Sequence, residues 1–161
     1  MSAADDDRIT ALARAAVERA APEELPLFRA TSEAYLRDPT ALEQRGGKDE
    51  LLGFGLEAAA VLVTPVALSV ARDVLVFLGE QIRRVARKEG EAAVDRIVDR
   101  AAGRDEDEEV VAPAPDGPAE LTDEQLEQVR ALALEKAKLL KLPDAKAALL
   151  ADSLVGSLAT A

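Results

Sequence analysis

Apolar positions along this chain recur at three- and four-residue spacing, and nowhere do they alternate as a strand would require. Ile9, Leu12, Ala13, Ala16, Val17 and Ala20 share one helical face. Asp5, Asp6 and Asp7 stand ahead of it, where acidic side chains suit the positive end of a helix dipole. Pro22 and Pro26 end that helix. Residues 27–37 offer a short helix of poorer pattern through Leu27, Phe28, Ala34, Tyr35 and Leu36. Asp38, Pro39 and Thr40 read as a turn, and Gly46 and Gly47 as a second break.

The most apolar segment is 51–79, and within it residues 58–71 form a run of 14 without a charge. A helix is expected from about Lys48 or Asp49. Thr64 and Pro65 interrupt it, because proline lacks a backbone donor and its ring clashes with the preceding turn. One kinked helix or two packed helices would satisfy that pattern. Beyond the proline, Val70, Val74, Leu78, Ile82 and Val85 make an amphipathic stripe, with Glu80 and Arg84 four apart on the outer face. Gly90 is a loosening point, after which Val94, Ile97, Val98 and Ala101 carry the stripe to Gly103.

Fourteen helical residues cover about 21 Å, against the ~30 Å of a bilayer core. Glu57 on one side and Arg72 with Asp73 on the other would each oppose insertion by ~2.5–3.5 kcal/mol near the bilayer centre. Leu62, Val63, Pro65, Val66 and Leu68 are therefore expected in a protein core. The alternative is a membrane-associated protein that uses 51–79 as a shallow or conditional hairpin. Arg83, Arg84, Arg87 and Lys88 would then meet anionic lipid.

Pro113, Pro115 and Pro118 forbid a regular helix in 104–120, where five consecutive acids, 105–109, repel one another. After this linker the local grammar is clear. Thr122 and Gln125 fit a capping box, and Leu121 and Leu126 occupy the two positions of a hydrophobic staple. Leu126, Val129, Ala133, Ala137 and Leu140 make one stripe. Pro143 opens a second helix, carrying Ala147, Leu150, Ala151, Leu154, Val155 and Leu158. The expectation is an all-α fold in three parts. A helical core region at 1–103 forms a bundle around a hydrophobic central helix or kinked hairpin; an acidic linker at 104–120 leads to a C-terminal helical hairpin at 121–161.

Composition narrows the function. The 161 residues contain neither Cys nor His, so disulfides, thiolate chemistry and imidazole bases are excluded. With only three Phe and one Tyr, and a net charge of −11, nucleic acid is not an expected partner. The acidity is local. Residues 1–104 hold 18 acids against 15 bases, 105–120 hold seven against none, and 121–161 hold six against five. Gly53, Phe54 and Gly55, like Gly46 and Gly47, lack the strand, helix and lysine of a phosphate loop. Glu106, Asp107 and Glu108 lack the spacing that would organise a cation. Glu57 is expected to face solvent or to pair with Arg72. No catalytic residue, cofactor or metal ligand is expected, and the acidic, polar start of the chain suits a cytoplasmic, non-enzymatic protein, with membrane association as the variant.

Ser153, Leu154, Val155, Gly156, Ser157 and Leu158 contain a Gly-Ser-Leu core between apolar residues, and over these six residues the tail resembles the C-terminal packing signals of encapsulin cargo proteins. Such a signal implies an accessible segment on a flexible tether, ending in a basic residue. This one continues a helical stripe and is followed by Ala159, Thr160 and Ala161. The hairpin itself is the stronger pointer. About 40 residues with two apolar stripes cannot bury enough surface alone. It must dock on residues 1–103, on its own copy or on another protein, through Leu126, Val129, Leu140, Leu150, Leu154 and Leu158.

Overall fold

The computed structural model describes residues 2–41, 62–85, 94, 97–99, 101–103 and 121–159, without the side chains of 82–85. All regular structure among them is helical: α1 (Ala3–Ala20), a 3-10 turn (Pro22–Glu24), α2 (Leu25–Arg37), α3 (Val63–Val85), α4 (Asp123–Leu139) and α5 (Asp144–Ala159). The all-α expectation is met.

The first helix begins six residues before its expected start. Ser2 is its N-cap, and Asp5, expected ahead of the helix, instead lies in its first turn and closes a capping box. The Asp5 amide donates to Ser2 Oγ at 3.3 Å, while the Ser2 amide and hydroxyl donate to Asp5 Oδ2 at 3.1 and 3.0 Å. Those bonds from Ser2, with the nearby Arg8 guanidinium, hold the Asp5 carboxyl below its ordinary value. A lowered folded value means the box stabilises the helix above the ordinary carboxylate range and loses that contribution as pH falls through it. Asp5→Asn should therefore flatten the acid limb of a helicity titration followed by circular dichroism.

Pro65 makes no kink within the helix that contains it, and whether another helix precedes it lies outside the described residues. It occupies the third position of α3, where an amide would have no partner inside the helix, and the chain at Leu62 is not yet helical. The start expected near Lys48 or Asp49, and with it Glu57, lies outside the described residues. So does the expected 104–120 linker. Asp38 ends α2 and caps the helical residues 39–41: its Oδ1 accepts from Thr40 Oγ1 at 2.8 Å and from the Ala41 amide at 3.1 Å. The stripe of 94–101 is inward where described, with Val94, Ile97 and Val98 buried. Gly103 leaves that helix at φ 68, the left-handed conformation that glycine adopts freely.

The helices close on one another in a cycle: α1 packs on α3, α3 on α4, α4 on α5, and α5 on α1. The second helix lies against α1 and α3, burying Phe28 and Tyr35. Its Leu27, expected on the apolar side, is 53% exposed. Alanine supplies much of the shared core, including Ala13 and Ala16 on α1, Ala67 and Ala71 on α3, Ala133 and Ala137 on α4, and Ala147 and Ala151 on α5, all without exposed surface.

The fourth helix turns into the fifth through a Schellman motif. The Leu142 amide donates to the Ala137 carbonyl and the Lys141 amide to the Lys138 carbonyl, both at 3.0 Å, with the Leu142 side chain buried beneath. That geometry puts Lys141 at φ 68, where a side chain bearing a Cβ is disfavoured by about 1–2 kcal/mol. Glycine would relieve the strain but add freedom to the unfolded chain. Lys141→Gly should raise stability by about 1 kcal/mol, read as a higher urea midpoint at unchanged m.

Candidate interaction surface

The hairpin of α4 and α5 is built to hold its own shape. Its start is the expected capping box: the Gln125 amide donates to Thr122 Oγ1 at 3.2 Å and the Thr122 amide to Gln125 Oε1 at 2.9 Å. Leu121 and Leu126 both pack partly buried against the core. Midway along, Arg130 Nε donates to Asp152 Oδ1 at 2.7 Å, tying the two helices across 22 residues of sequence. Near the turn, Lys138 Nζ lies 3.7 Å from Asp144 Oδ1. These are half-exposed pairs, each worth at most ~1 kcal/mol, so they set register more than stability.

Burial separates the faces of the hairpin. Val129, Leu150, Leu154 and Leu158 are buried, while Leu126 and Leu140 are half-buried, and all six belong to the apolar cluster that also contains α1 and α3. The fifth helix makes its external contacts chiefly with α1, and the fourth with α3. One ion pair crosses the second contact, Lys136 Nζ to Asp73 Oδ2 at 3.1 Å. The six residues therefore belong to the one apolar core that the hairpin shares with the chain's own α1 and α3. Two serines share the buried side of α5 without demanding a partner. Ser153 Oγ donates to the Leu149 carbonyl at 2.6 Å, and Ser157 Oγ to the Ser153 carbonyl at 2.9 Å.

The residues that resemble an encapsulation signal thus lie in the last turns of a packed helix: Ser153, Leu154, Ser157 and Leu158 are buried, and Val155 and Gly156 half-buried. A Cβ built on Gly156 would meet only the Arg19 guanidinium, at 3.1 Å. Because that group ends a flexible side chain, it can move aside. Gly156→Ala should stabilise the protein by roughly 0.5–1 kcal/mol through helix propensity, measured by thermal denaturation.

Of the residues marked for core or membrane, Val63, Val66 and Leu68 are buried and Pro65 half-buried on the first turns of α3, and Leu62 is half-buried just ahead of it. No helix among the described residues is long and apolar enough to cross a membrane.

One residue here has no counterpart among the sequence-based expectations. Glu24, at the end of the 3-10 turn, is 8% exposed, and its carboxylate receives the start of α3. Oε1 accepts from the Val63 amide at 2.8 Å, and Oε2 from the Thr64 amide and hydroxyl, each at 2.7 Å. With Pro65 having no amide hydrogen to satisfy, one side chain and one proline account for three successive positions at the positive end of this helix. Nothing local could have revealed it, since the partners lie 39 and 40 residues away.

The remaining surface offers little chemistry. A shallow depression lined by Ala11, Arg14, Ala15, Glu18 and Ala102 is crossed by the Arg14–Glu18 pair, whose charges satisfy each other at 3.1 Å. Among the described residues no three acidic side chains gather as a metal site, and the acidic run through Glu106, Asp107 and Glu108 lies outside them. No known protein family, curated protein or solved structure matches this chain.

Proposed function

We propose that this chain is a non-enzymatic, helical interaction protein whose C-terminal hairpin is a docking element. The observation that supports the reading is the continuity of the hairpin's apolar face with the core made by α1 and α3. Covalently the hairpin is joined to that core by a proline-rich, acidic stretch alone. A structural unit with its own caps and cross-links, seated on the rest of the molecule through side chains, can leave its seat and return to it. The partner is a protein surface that presents the same apolar, alanine-lined groove, either another protein or a second copy.

The test cuts the tether. A specific protease site placed within 104–120 converts the folded protein into two noncovalent pieces. Two such preparations, one isotopically labelled, are mixed and followed by native mass spectrometry. The pieces should co-purify after cleavage and exchange their hairpins within hours. Cleaved protein that unfolds, or that keeps its original hairpin indefinitely, would remove the docking reading.

A further inference from the structure

We infer that the turn between α4 and α5 is a contact site for an anionic lipid surface, with Leu139 entering the headgroup layer while Lys138, Lys141 and Lys146 meet its negative charge. The inference concerns the exposed end of the hairpin rather than its buried face, so it stands or falls independently of the docking reading.

Three residues here stand against the preference of their own positions. Leu139, the last residue of α4, is 71% exposed, the highest value for any large apolar side chain among the described residues. Lys141 is exposed and holds the left-handed position of the turn at φ 68, which glycine adopts at lower cost. Lys146 lies in the first turn of α5, at the positive end of the helix dipole, where a cation is disfavoured. The fold accounts for the other two lysines nearby. Lys136 and Lys138 lie in the last turn of α4, where the dipole favours them, and they pair with Asp73 and Asp144. Lys141 and Lys146 have no ion pair among the described residues.

Residues 138–146 thus carry three lysines against one aspartate, in a chain whose net charge is −11. Charges more than about 8 Å away are largely screened at physiological ionic strength. The turn therefore meets a charged surface through its own excess and not through the acidity of the whole chain.

Interface size favours lipid over protein as the occupant. A specific protein interface takes about 800 Å² and 20–30 residues from each partner, more than one turn and its flanks supply. A membrane surface requires no such area. Each lysine near anionic lipid adds its own attraction, and a leucine at the end of a hairpin sinks between headgroups without a pocket shaped to receive it. The attachment is shallow, reversible and weakened by salt.

The absence of tryptophan makes a direct test available. Full-length Leu139→Trp carries a single indole at the proposed contact. It is titrated with vesicles of equal parts phosphatidylserine and phosphatidylcholine, or of phosphatidylcholine alone, at low and at high salt. Its emission should shift to the blue, and be quenched by brominated acyl chains, on the anionic vesicles at low salt only. Val76→Trp, at an exposed position on α3, should show neither change. In flotation of the otherwise unaltered chain, Lys141→Gly should weaken partitioning about fivefold, the factor for one lysine near an anionic surface. Lys141→Gly combined with Lys146→Gln should weaken it roughly 25-fold. Because glycine suits the conformation at 141, a loss there is not a loss of folding. An unshifted indole without flotation would overturn the inference, as would flotation that the parent and the two lysine variants share equally. Retention on immobilised polyglutamate without vesicle binding would also overturn it, and would assign the turn to an acidic protein segment.

Discussion

Replacing Glu24 with alanine should lower the unfolding free energy by about 3 kcal/mol, among the largest effects available to any single side chain in this structure. The substitution removes an acceptor from three donors at once. The Val63 and Thr64 amides and the Thr64 hydroxyl lie at a buried helix start, and water cannot readily replace a carboxylate there. An unsatisfied buried donor costs about 1–3 kcal/mol. Loss of an ordinary cap adds about 0.5–2 kcal/mol, and part of the total is recovered as the site relaxes. Glu24→Gln distinguishes the charge from the shape. Its amide oxygen can still accept, but its NH2 group confronts a donor, so about half of the loss should remain. Urea denaturation of the three proteins at neutral pH reads the series. A Glu24→Ala variant within about 0.5 kcal/mol of the parent would mean that the clasp contributes nothing and α3 is held by packing alone.

Leu154→Ala should be comparably damaging, at about 3 kcal/mol, because a fully buried leucine is truncated in a core that cannot collapse around the gap. The site of the loss matters more than its size. Leu154 is fully buried on α5, the helix that packs on α1, so its removal should lower the unfolding temperature of the whole helical cycle. Circular dichroism and hydrogen exchange at α1 amides should show one shifted transition rather than a separate melting of the hairpin. Leu149 on the same helix is 46% exposed, and its alanine variant should stay within about 0.5 kcal/mol of the parent. Two transitions in Leu154→Ala, with α1 protection unchanged, would show that the hairpin stabilises only itself.

Legibility in the sequence depends on the range of the interaction responsible. Thr122 and Gln125 act across three residues, and the capping box they spell is present. The stripes of α4 and α5 depend on spacing alone, and every residue they nominate is buried or half-buried. Ser2 and Asp5 are equally local, yet their box is hidden because three successive aspartates read more naturally as a solvated lead-in than as part of the first turn. Lys141 carries no marker, since glycine or asparagine usually occupies its conformation. Pro65 is recognisable as a break, but its meaning depends on where α3 begins, and that is fixed by Glu24 from a distant part of the chain. The candidate site divides in the same way. Its residues are readable as an apolar face, whereas the choice among core, copy and partner is a property of surfaces, which no periodicity encodes. In this chain the face meets α1 and α3.

The alanines between these helices give the molecule an uneven tolerance of change. Ala13, Ala16, Ala67, Ala71, Ala133 and Ala137 have no exposed surface, so at these positions the helices present only methyl groups to the core. Truncation to glycine costs about 0.5–1 kcal/mol at each, chiefly as lost helix propensity. An added branch, by contrast, must wedge two rods apart, at about 1–3 kcal/mol per substitution and with every neighbour displaced in turn. Replacement by serine is therefore the milder change at these positions and replacement by valine or leucine the harsher, because the larger side chain must move a whole helix to find room.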